Sequence, residues 1–142
     1  MLGVDQIIFR LVFGAVLSGI IGLEREFKHK PAGLRTNILV GVGSTLIMLV
    51  SQYFSFDPAR IAAGVITGIG FLGAGLIIQD RNEVHGITTA ATIWVVSGVG
   101  LAVGIGMYVA AAATALIALL VLYFFGSDRL RKSINLRSDR QL

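Results

Sequence analysis

Long uncharged runs separated by short charged segments dominate the chain. Four runs contain no Asp, Glu, Lys or Arg: residues 11–23, 36–56, 61–79 and 86–127. About 20 helical residues cross the hydrocarbon core of a bilayer, so the second and third runs each fit one transmembrane helix. The last run is long enough for two helices, with a turn at Gly104-Ile105-Gly106, where two glycines permit a tight reversal. The pattern therefore predicts a chain embedded in a membrane.

The first uncharged run extends toward the N-terminus across residues 4–9, interrupted only by Arg10. No cleaved signal peptide is expected, because this segment carries Asp5 and no basic residue before its apolar stretch. The predicted fold class is an all-α integral membrane protein, a bundle of five transmembrane helices in a domain of residues 1–126. The expected spans are residues 4–23, 34–54, 59–79, 87–103 and 106–126.

Composition and charge indicate how the chain is oriented. Hydrophobic residues make up 55% of the sequence and charged residues 14%, whereas soluble domains carry about 25% charged residues. With five spans, every basic residue except Arg10 and Arg60 falls on one side of the membrane. The positive-inside rule then places the N-terminus outside and the C-terminus inside. The net charge of +4 is expected to face anionic lipid and not nucleic acid.

The basic tail, residues 127–142, carries Leu130, Ile134 and Leu136 among its charges. Two interpretations stay open, a short helix lying on the inner leaflet and a disordered end. In both, the tail is expected in the cytoplasm.

A glycine-rich segment in the third helix has two possible meanings. Gly68-Ile69-Gly70-Phe71-Leu72-Gly73 matches the glycine fingerprint of dinucleotide sites, which need a preceding strand and an acidic residue about 20 positions later. Here Asp57-Pro58 marks a helix start, and the residue at that later position is Ile93. We therefore interpret the glycines as helix-packing residues and expect the third helix to be central. The packing positions are Gly64, Gly68, Gly70, Gly73 and Gly75.

Polar residues recur at helical spacing along the second helix. The stripe comprises Asn37, Gly41, Ser44, Met48 and Ser51, with Thr45 and Gln52 at its edge. Arg60 and Thr67 mark a similar stripe on the third helix, and Thr88 and Thr92 another on the fourth. Polar groups within hydrocarbon need partners, so the stripes indicate either hydrogen bonds between helices or a path for a ligand or ion.

Charged side chains near the span ends allow several pairings. Arg10 is expected to extend to the outer interface or to pair with Asp57 or Asp5. Arg35 is expected to meet Glu24 or Asp80, which lie on the same side of the membrane.

The sequence offers little catalytic or metal chemistry. All acidic residues lie at span ends or in loops, whereas a magnesium path is expected to show an intramembrane carboxylate. No nucleophile and base set is present, so neither an enzyme, a cofactor nor a metal site is predicted. His29 and His85 are expected to be solvated loop residues. Trp94 lies deeper than an interfacial aromatic residue and is expected to pack between helices.

Five segments between residues 22 and 94 together form a recognisable pattern. In order they are Gly22-Leu23-Glu24-Arg25-Glu26, Ala32-Gly33-Leu34-Arg35-Thr36-Asn37, Arg60-Ile61-Ala62-Ala63, Gly68-Ile69-Gly70-Phe71-Leu72-Gly73-Ala74-Gly75 and Gly86-Ile87-Thr88-Thr89-Ala90-Ala91-Thr92-Ile93-Trp94. The chain thereby resembles the MgtC/SapB family of bacterial inner-membrane proteins. Many relatives append a cytoplasmic ACT-like domain, which is not expected here. Some relatives have Asn at the position of Thr88. The Thr88 hydroxyl keeps a hydrogen-bonding group but lacks the second donor of the Asn amide.

The resemblance implies a five-helix membrane protein linked to growth under magnesium limitation, stress adaptation and virulence. It is compatible with regulation of another membrane complex, such as the proton-translocating ATP synthase, and the alternative is transport of magnesium or another small solute. The chain is expected to form a homo-oligomer in the lipid bilayer. The candidate functional residues are Glu24, Arg25, Arg35, Thr36, Asn37, Arg60, Thr67, Thr88, Thr89 and Thr92.

Overall fold

The structure, a computed structural model, describes residues 2–54, 57–80 and 83–126. It contains five helices and one short hairpin: α1 (Val4–Phe27), α2 (Leu34–Ser51), α3 (Pro58–Gly75), β1 (Ile78–Asp80), β2 (Glu83–His85), α4 (Ile87–Ile105) and α5 (Tyr108–Phe125). The predicted all-α class with five helices is confirmed. The tail, residues 127–142, lies outside the described residues, as does Arg81.

Four of the helices, α1, α2, α4 and α5, are long and apolar enough to cross a membrane. On α3 the apolar helical segment, Ala59–Gly75, is shorter. The fifth span and the orientation of the chain stay predictions.

The ends of the helices differ from the expected spans for local reasons. α1 continues past residue 23 to Phe27, because Glu24 and Lys28 form an ion pair one turn apart that supports another turn of helix. α3 ends at Gly75 and not at residue 79. The residues that follow pair instead as an antiparallel hairpin, with Ile78 opposite His85.

The turn between α4 and α5 forms where the glycines predict it. Gly106 follows the last residue of α4 and has φ 94°, a left-handed conformation that favours glycine. Its amide donates to the carbonyl of Val103, and the amide of Met107 donates to the carbonyl of Ala102. These bonds satisfy the last carbonyls of α4 before α5 begins at Tyr108.

The centre of the bundle is α4, which contributes the largest share of the apolar core. Val96, Val99 and Val103 are buried there with Ile21 of α1 and Ala111 of α5. The expectation that α3 is central is wrong. On α3, Ile69 and Gly73 are the buried positions among the residues that are described there.

Glycines bring the backbones of α1, α2 and α4 into direct contact. A Cβ atom added at Gly100 would lie 2.5 Å from the carbonyl oxygen of Gly41, and one at Gly104 would lie 2.5 Å from Met48 Cβ. At Gly22 an added Cβ would lie 2.9 Å from Leu34 Cα. Such distances leave no room for a side chain, so these three helices form a tight unit, which we call the α1–α2–α4 core.

The glycines of α3 have a different environment. Gly73 contacts α4, because an added Cβ would lie 3.5 Å from Ala90 Cβ. Gly64, Gly68, Gly70 and Gly75 have no neighbouring atoms within 4 Å of an added Cβ among the described residues. The predicted packing of helices on these four glycines is therefore not seen within the described residues. All these glycines lie within helix, and no strand leads into them from residue 57 onward.

Trp94 does not pack between helices as expected. The residue is 51% exposed on α4. The inward positions on either side are taken by smaller residues, since Thr92, Ile93, Val96 and Ser97 are all buried. The helix therefore turns its bulkiest side chain outward.

Candidate functional site

The polar groups of the bundle collect at its two ends. One end carries the α1–α2 loop, the hairpin and the end of α5, and the other carries the α4–α5 turn and the end of α2. The first end holds most of the predicted site residues.

The α1–α2 loop is held in a compact shape by both of its flanking helices. The amide of Lys30 donates to the carbonyl of Arg25 at 3.0 Å. Glu26 Oε2 accepts from the amide of Leu34 at 2.9 Å and so caps the start of α2. His29 and Ala32 adopt positive φ angles of 52° and 54°, which are uncommon for residues other than glycine.

Glu24 is shared by two cations. Its Oε1 lies 2.6 Å from Lys28 Nζ, and its Oε2 lies 3.5 Å from Arg25 Nη1. Lys28 Nζ also donates to the carbonyl of Leu122 at 2.8 Å, which ties α1 to the last turn of α5. Arg35 is exposed and forms an ion pair with neither Glu24 nor Asp80 within the described residues, so the expected pairing is wrong.

Asn37 is fully buried where α2 begins, beside α1. Its Nδ2 donates to the carbonyl oxygens of Ala32 at 2.6 Å and Gly33 at 2.8 Å. A Cβ added at Gly22 would lie 3.0 Å from Asn37 Cβ, so α1 packs directly on this residue. We name the region formed by Arg25, Glu24, Lys28 and Asn37 the α1–α2 junction.

The remaining predicted residues are divided between the interior and the surface. Thr89 and Thr92 are buried on α4, and Thr92 Oγ1 donates to the carbonyl of Thr88 at 2.7 Å. Exposed positions among the candidates are Arg35, Thr36, Arg60, Thr67 and Thr88. The structure thus joins Glu24, Arg25 and Asn37 in one region and places Arg60 and Thr67 apart from it, on α3.

The opposite end of the bundle is closed by a cluster around the carbonyl of Gly104. This oxygen accepts from Arg10 Nη1 at 2.6 Å and from Gln52 Nε2 at 2.8 Å. Arg10 Nε also donates to the hydroxyl of Tyr108 at 3.0 Å. Arg10 forms no ion pair with Asp57 or Asp5 within the described residues, so that expectation is wrong. Its extension to the outer interface stays a prediction. The sequence analysis did not identify Tyr108 as a partner of Arg10. The available signal was its position at the start of α5, just after the glycine turn.

The polar stripe of α2 faces the interior and is largely satisfied by hydrogen bonds. Thr45 Oγ1 lies 2.8 Å from the carbonyl of Gly41 and 3.0 Å from that of Gly100. Ser51 Oγ donates to the carbonyl of Met48 at 2.7 Å. The bond from Thr45 to Gly100 of α4 matches the first interpretation of the stripe, hydrogen bonding between helices, and the other two bonds lie within α2.

Two observations concern possible ligands. Within residues 2–54, 57–80 and 83–126, no group of three or more His, Cys, Asp or Glu side chains is placed to hold a metal ion. A shallow groove of about 520 Å³ lies where α3 approaches the end of α4, lined mainly by apolar side chains, including Met48, Ala62 and Ile105.

Comparison with known proteins identifies the family to which this arrangement belongs. The model of the MgtC family matches residues 11–129. The chain belongs to the MgtC family. Membership agrees with the apolar helices and with the resemblance drawn from the five sequence segments.

Three relatives show how far the likeness extends. The Escherichia coli (strain K12) protein named "Putative magnesium transporter YhiD" is 44% identical over 130 residues, 84% of this chain and 60% of its own length. Protein SapB of Bacillus subtilis (strain 168) is 39% identical over 151 residues, 93% of this chain and 65% of its own length. Protein MgtC of Salmonella typhimurium is 43% identical over 113 residues, 79% of this chain and 49% of its own length.

The chain spans about two thirds or less of the length of these MgtC-family relatives. No solved structure matches it.

Proposed function

We propose that this MgtC-family chain is a non-enzymatic protein of the bacterial inner membrane that supports adaptation to low magnesium, stress or virulence conditions by regulating another membrane complex. In this proposal all five helices span the bilayer, with the N-terminus outside. The name of the Escherichia coli relative, "Putative magnesium transporter YhiD", supports a link to magnesium. The regulatory role rests on one feature of α3.

That feature is an open glycine face. Gly64, Gly68 and Gly75 recur at helical spacing on one side of α3 and have no neighbour in the described parts of this chain. Phe71 lies beside them and is 82% exposed. Small residues on a transmembrane helix allow another helix to approach closely. We call Gly64, Gly68 and Gly75 the α3 glycine face and propose that a helix of a partner complex packs on it.

The proton-translocating ATP synthase is one candidate partner, and a second copy of the chain is another. A photo-crosslinking amino acid at Gly68 tests the contact in living cells. The matched control carries the same amino acid at Val109, which is 85% exposed on α5. We expect a crosslink to a subunit of another membrane complex from position 68 and none from position 109. Crosslinks only to other copies of this chain would support a homo-oligomer and would contradict the proposed regulation of another complex.

A second candidate function is transport of magnesium or another small solute. The buried polar stripe of α2 favours it, because Asn37, Ser44, Thr45 and Ser51 lie inside the bundle. Purified protein in liposomes loaded with a magnesium indicator tests this function. Flux above that of liposomes containing the Asn37→Leu variant supports transport, and equal flux from both removes it.

A further inference from the structure

The α1–α2 junction contains a buried cation without full compensation. The side chain of Arg25 is 4% exposed, whereas that of Lys28 is 30% exposed. Both rely on the carboxylate of Glu24, yet the more exposed Lys28 has the contact of 2.6 Å and the buried Arg25 the contact of 3.5 Å. Arg25 and Lys28 carry two positive charges and Glu24 one negative charge, so one positive charge remains uncompensated. A buried charge is stable only when it is paired and hydrogen-bonded.

Three buried side-chain atoms of the junction make no hydrogen bond within the described residues: Glu24 Oε1, Arg25 Nε and Asn37 Oδ1. Glu24 Oε1 lies 2.6 Å from Lys28 Nζ in an ion pair, so Arg25 Nε and Asn37 Oδ1 are the two that have no partner of either kind. Gly22 of α1 packs against Asn37, and Arg25 follows Gly22 by three positions, which places the two as neighbours on the same side of the helix. One atom is a donor on a cation, and the other is an acceptor on a neutral amide. Buried groups of this kind normally have a partner, so their lack of one requires an explanation.

The surroundings of the junction carry further positive charge. Lys30 is exposed in the loop between α1 and α2, and Arg35 is exposed in the first turn of α2. Glu26 is engaged at the amide of Leu34, on the start of α2. A basic rim of this kind raises the local concentration of anions.

We propose that the α1–α2 junction binds a phosphate group, with Arg25 as the charged donor and Asn37 Oδ1 as an acceptor from the ligand. The planar guanidinium matches the geometry of phosphate oxygens. Asn37 Oδ1 needs a hydrogen donor, which hydrogen phosphate supplies through its P–O–H group and which a phospholipid supplies through a headgroup hydroxyl. Sulfate is fully ionised and has no such donor. The site therefore selects phosphate over sulfate.

The binding test uses the full chain purified in a neutral detergent. Thermal unfolding is followed by the fluorescence of the single tryptophan, Trp94, with added inorganic phosphate, sulfate or chloride at constant ionic strength. We expect phosphate to raise the unfolding midpoint by several degrees and to act at a concentration at least tenfold lower than sulfate.

Variants assign the effect to Arg25. Arg25→Gln is expected to abolish the shift, and Arg35→Gln, the exposed control, is expected to retain it. If Arg25→Gln does not fold, Arg25→Lys keeps the charge but lacks the Nε donor, and it is expected to need at least tenfold more phosphate. An equal response in Arg25→Lys, Arg35→Gln and the wild type would overturn the proposal.

A lipid experiment identifies the source of the phosphate group. The delipidated protein is placed in nanodiscs of phosphatidylcholine with or without phosphatidylglycerol, and its unfolding midpoint is measured. A shift with phosphatidylglycerol that Arg25→Lys loses, without a response to inorganic phosphate, assigns the site to a lipid headgroup. A response to inorganic phosphate assigns it to the free ion. If the wild type responds to neither ligand, the proposal is wrong. The proposal does not depend on the function of the α3 glycine face.

Discussion

The α1–α2–α4 core and α3 use glycine in opposite ways. In the core, Gly100 and Gly104 lie where α2 leaves no room for a side chain. On α3, Gly64, Gly68 and Gly75 face open space within the described chain. The residue type and its spacing are alike, and only the neighbouring helix differs. Glycine spacing therefore predicts that a helix can be approached closely, and it does not predict whether the partner belongs to the same chain.

Substitution of glycine by alanine in the core gives the largest expected effect. A Cβ at Gly100 would meet the Gly41 carbonyl at 2.5 Å and Ser44 Cβ at 2.8 Å, so α2 and α4 must separate. We expect Gly100→Ala to lower the free energy of unfolding by about 3 kcal/mol, measured by titration with SDS in mixed micelles. Gly98→Ala is the control within the same helix, because nothing lies within 4 Å of its added Cβ among the described residues. A loss of equal size in both variants would contradict the tight core.

Arginine gives the next comparison between the two regions. Arg10 holds the α4–α5 turn through Gly104 and Tyr108, whereas Arg60 is exposed on α3. Hydrogen bonds to charged groups contribute about 1.5–3 kcal/mol. We expect Arg10→Met to lower the free energy of unfolding by about 2 kcal/mol in the same titration. Arg60→Met is expected to change it by less than about 0.5 kcal/mol. The cluster at the turn has no stabilising role if the two variants unfold alike.

Threonine provides a finer comparison. Thr45 and Thr67 each bond the carbonyl four residues earlier, but Thr45 also reaches the carbonyl of Gly100 on α4. A hydrogen bond between transmembrane helices contributes about 0.6–1.7 kcal/mol. We expect Thr45→Val to cost about 1 kcal/mol of unfolding free energy, beyond the change in Thr67→Val. Equal values would mean that the bond between helices adds nothing to stability.

The smallest expected effect has the opposite sign. Gly68→Ala adds a methyl group to open space and removes the flexibility of glycine from a helix, which stabilises by about 0.5–1 kcal/mol. The SDS titration is expected to show a gain, in contrast to Gly100→Ala. A loss would show that α3 packs against part of this chain at Gly68.

Much of the fold follows from the sequence because bilayer thickness and charge placement limit where helices begin and end. Five helices and the turn at Gly106 were predictable on that basis. The central position of α4 was not, because glycine patterns on α3 and α4 look alike until the neighbours are known. The hairpin of Ile78–Asp80 and Glu83–His85 was missed, since its short strands interrupt an apolar run that suits a longer helix.

The candidate site was predictable in part. Glu24, Arg25 and Asn37 were expected together at one end of the bundle, and the structure places them there. The backbone partners of two other cations, Lys28 and Arg10, were not predictable. Lys28 reaches Leu122 of α5, and Arg10 reaches Gly104 of α4, in each case a backbone carbonyl far along the chain. A backbone acceptor leaves no mark in the residue types, so Asp57 and Asp5 were the only partners that sequence reasoning could offer Arg10.

The most direct test of the account combines stability and activity in one variant, Gly68→Leu, with Val109→Phe as the control on α5. Both are compared with the wild type for unfolding by SDS and for restoring growth at low magnesium to a strain that lacks the gene. The account predicts that Gly68→Leu remains as stable as the wild type and restores growth at least tenfold less well, while Val109→Phe behaves as wild type in both assays. Full restoration of growth by Gly68→Leu would contradict it.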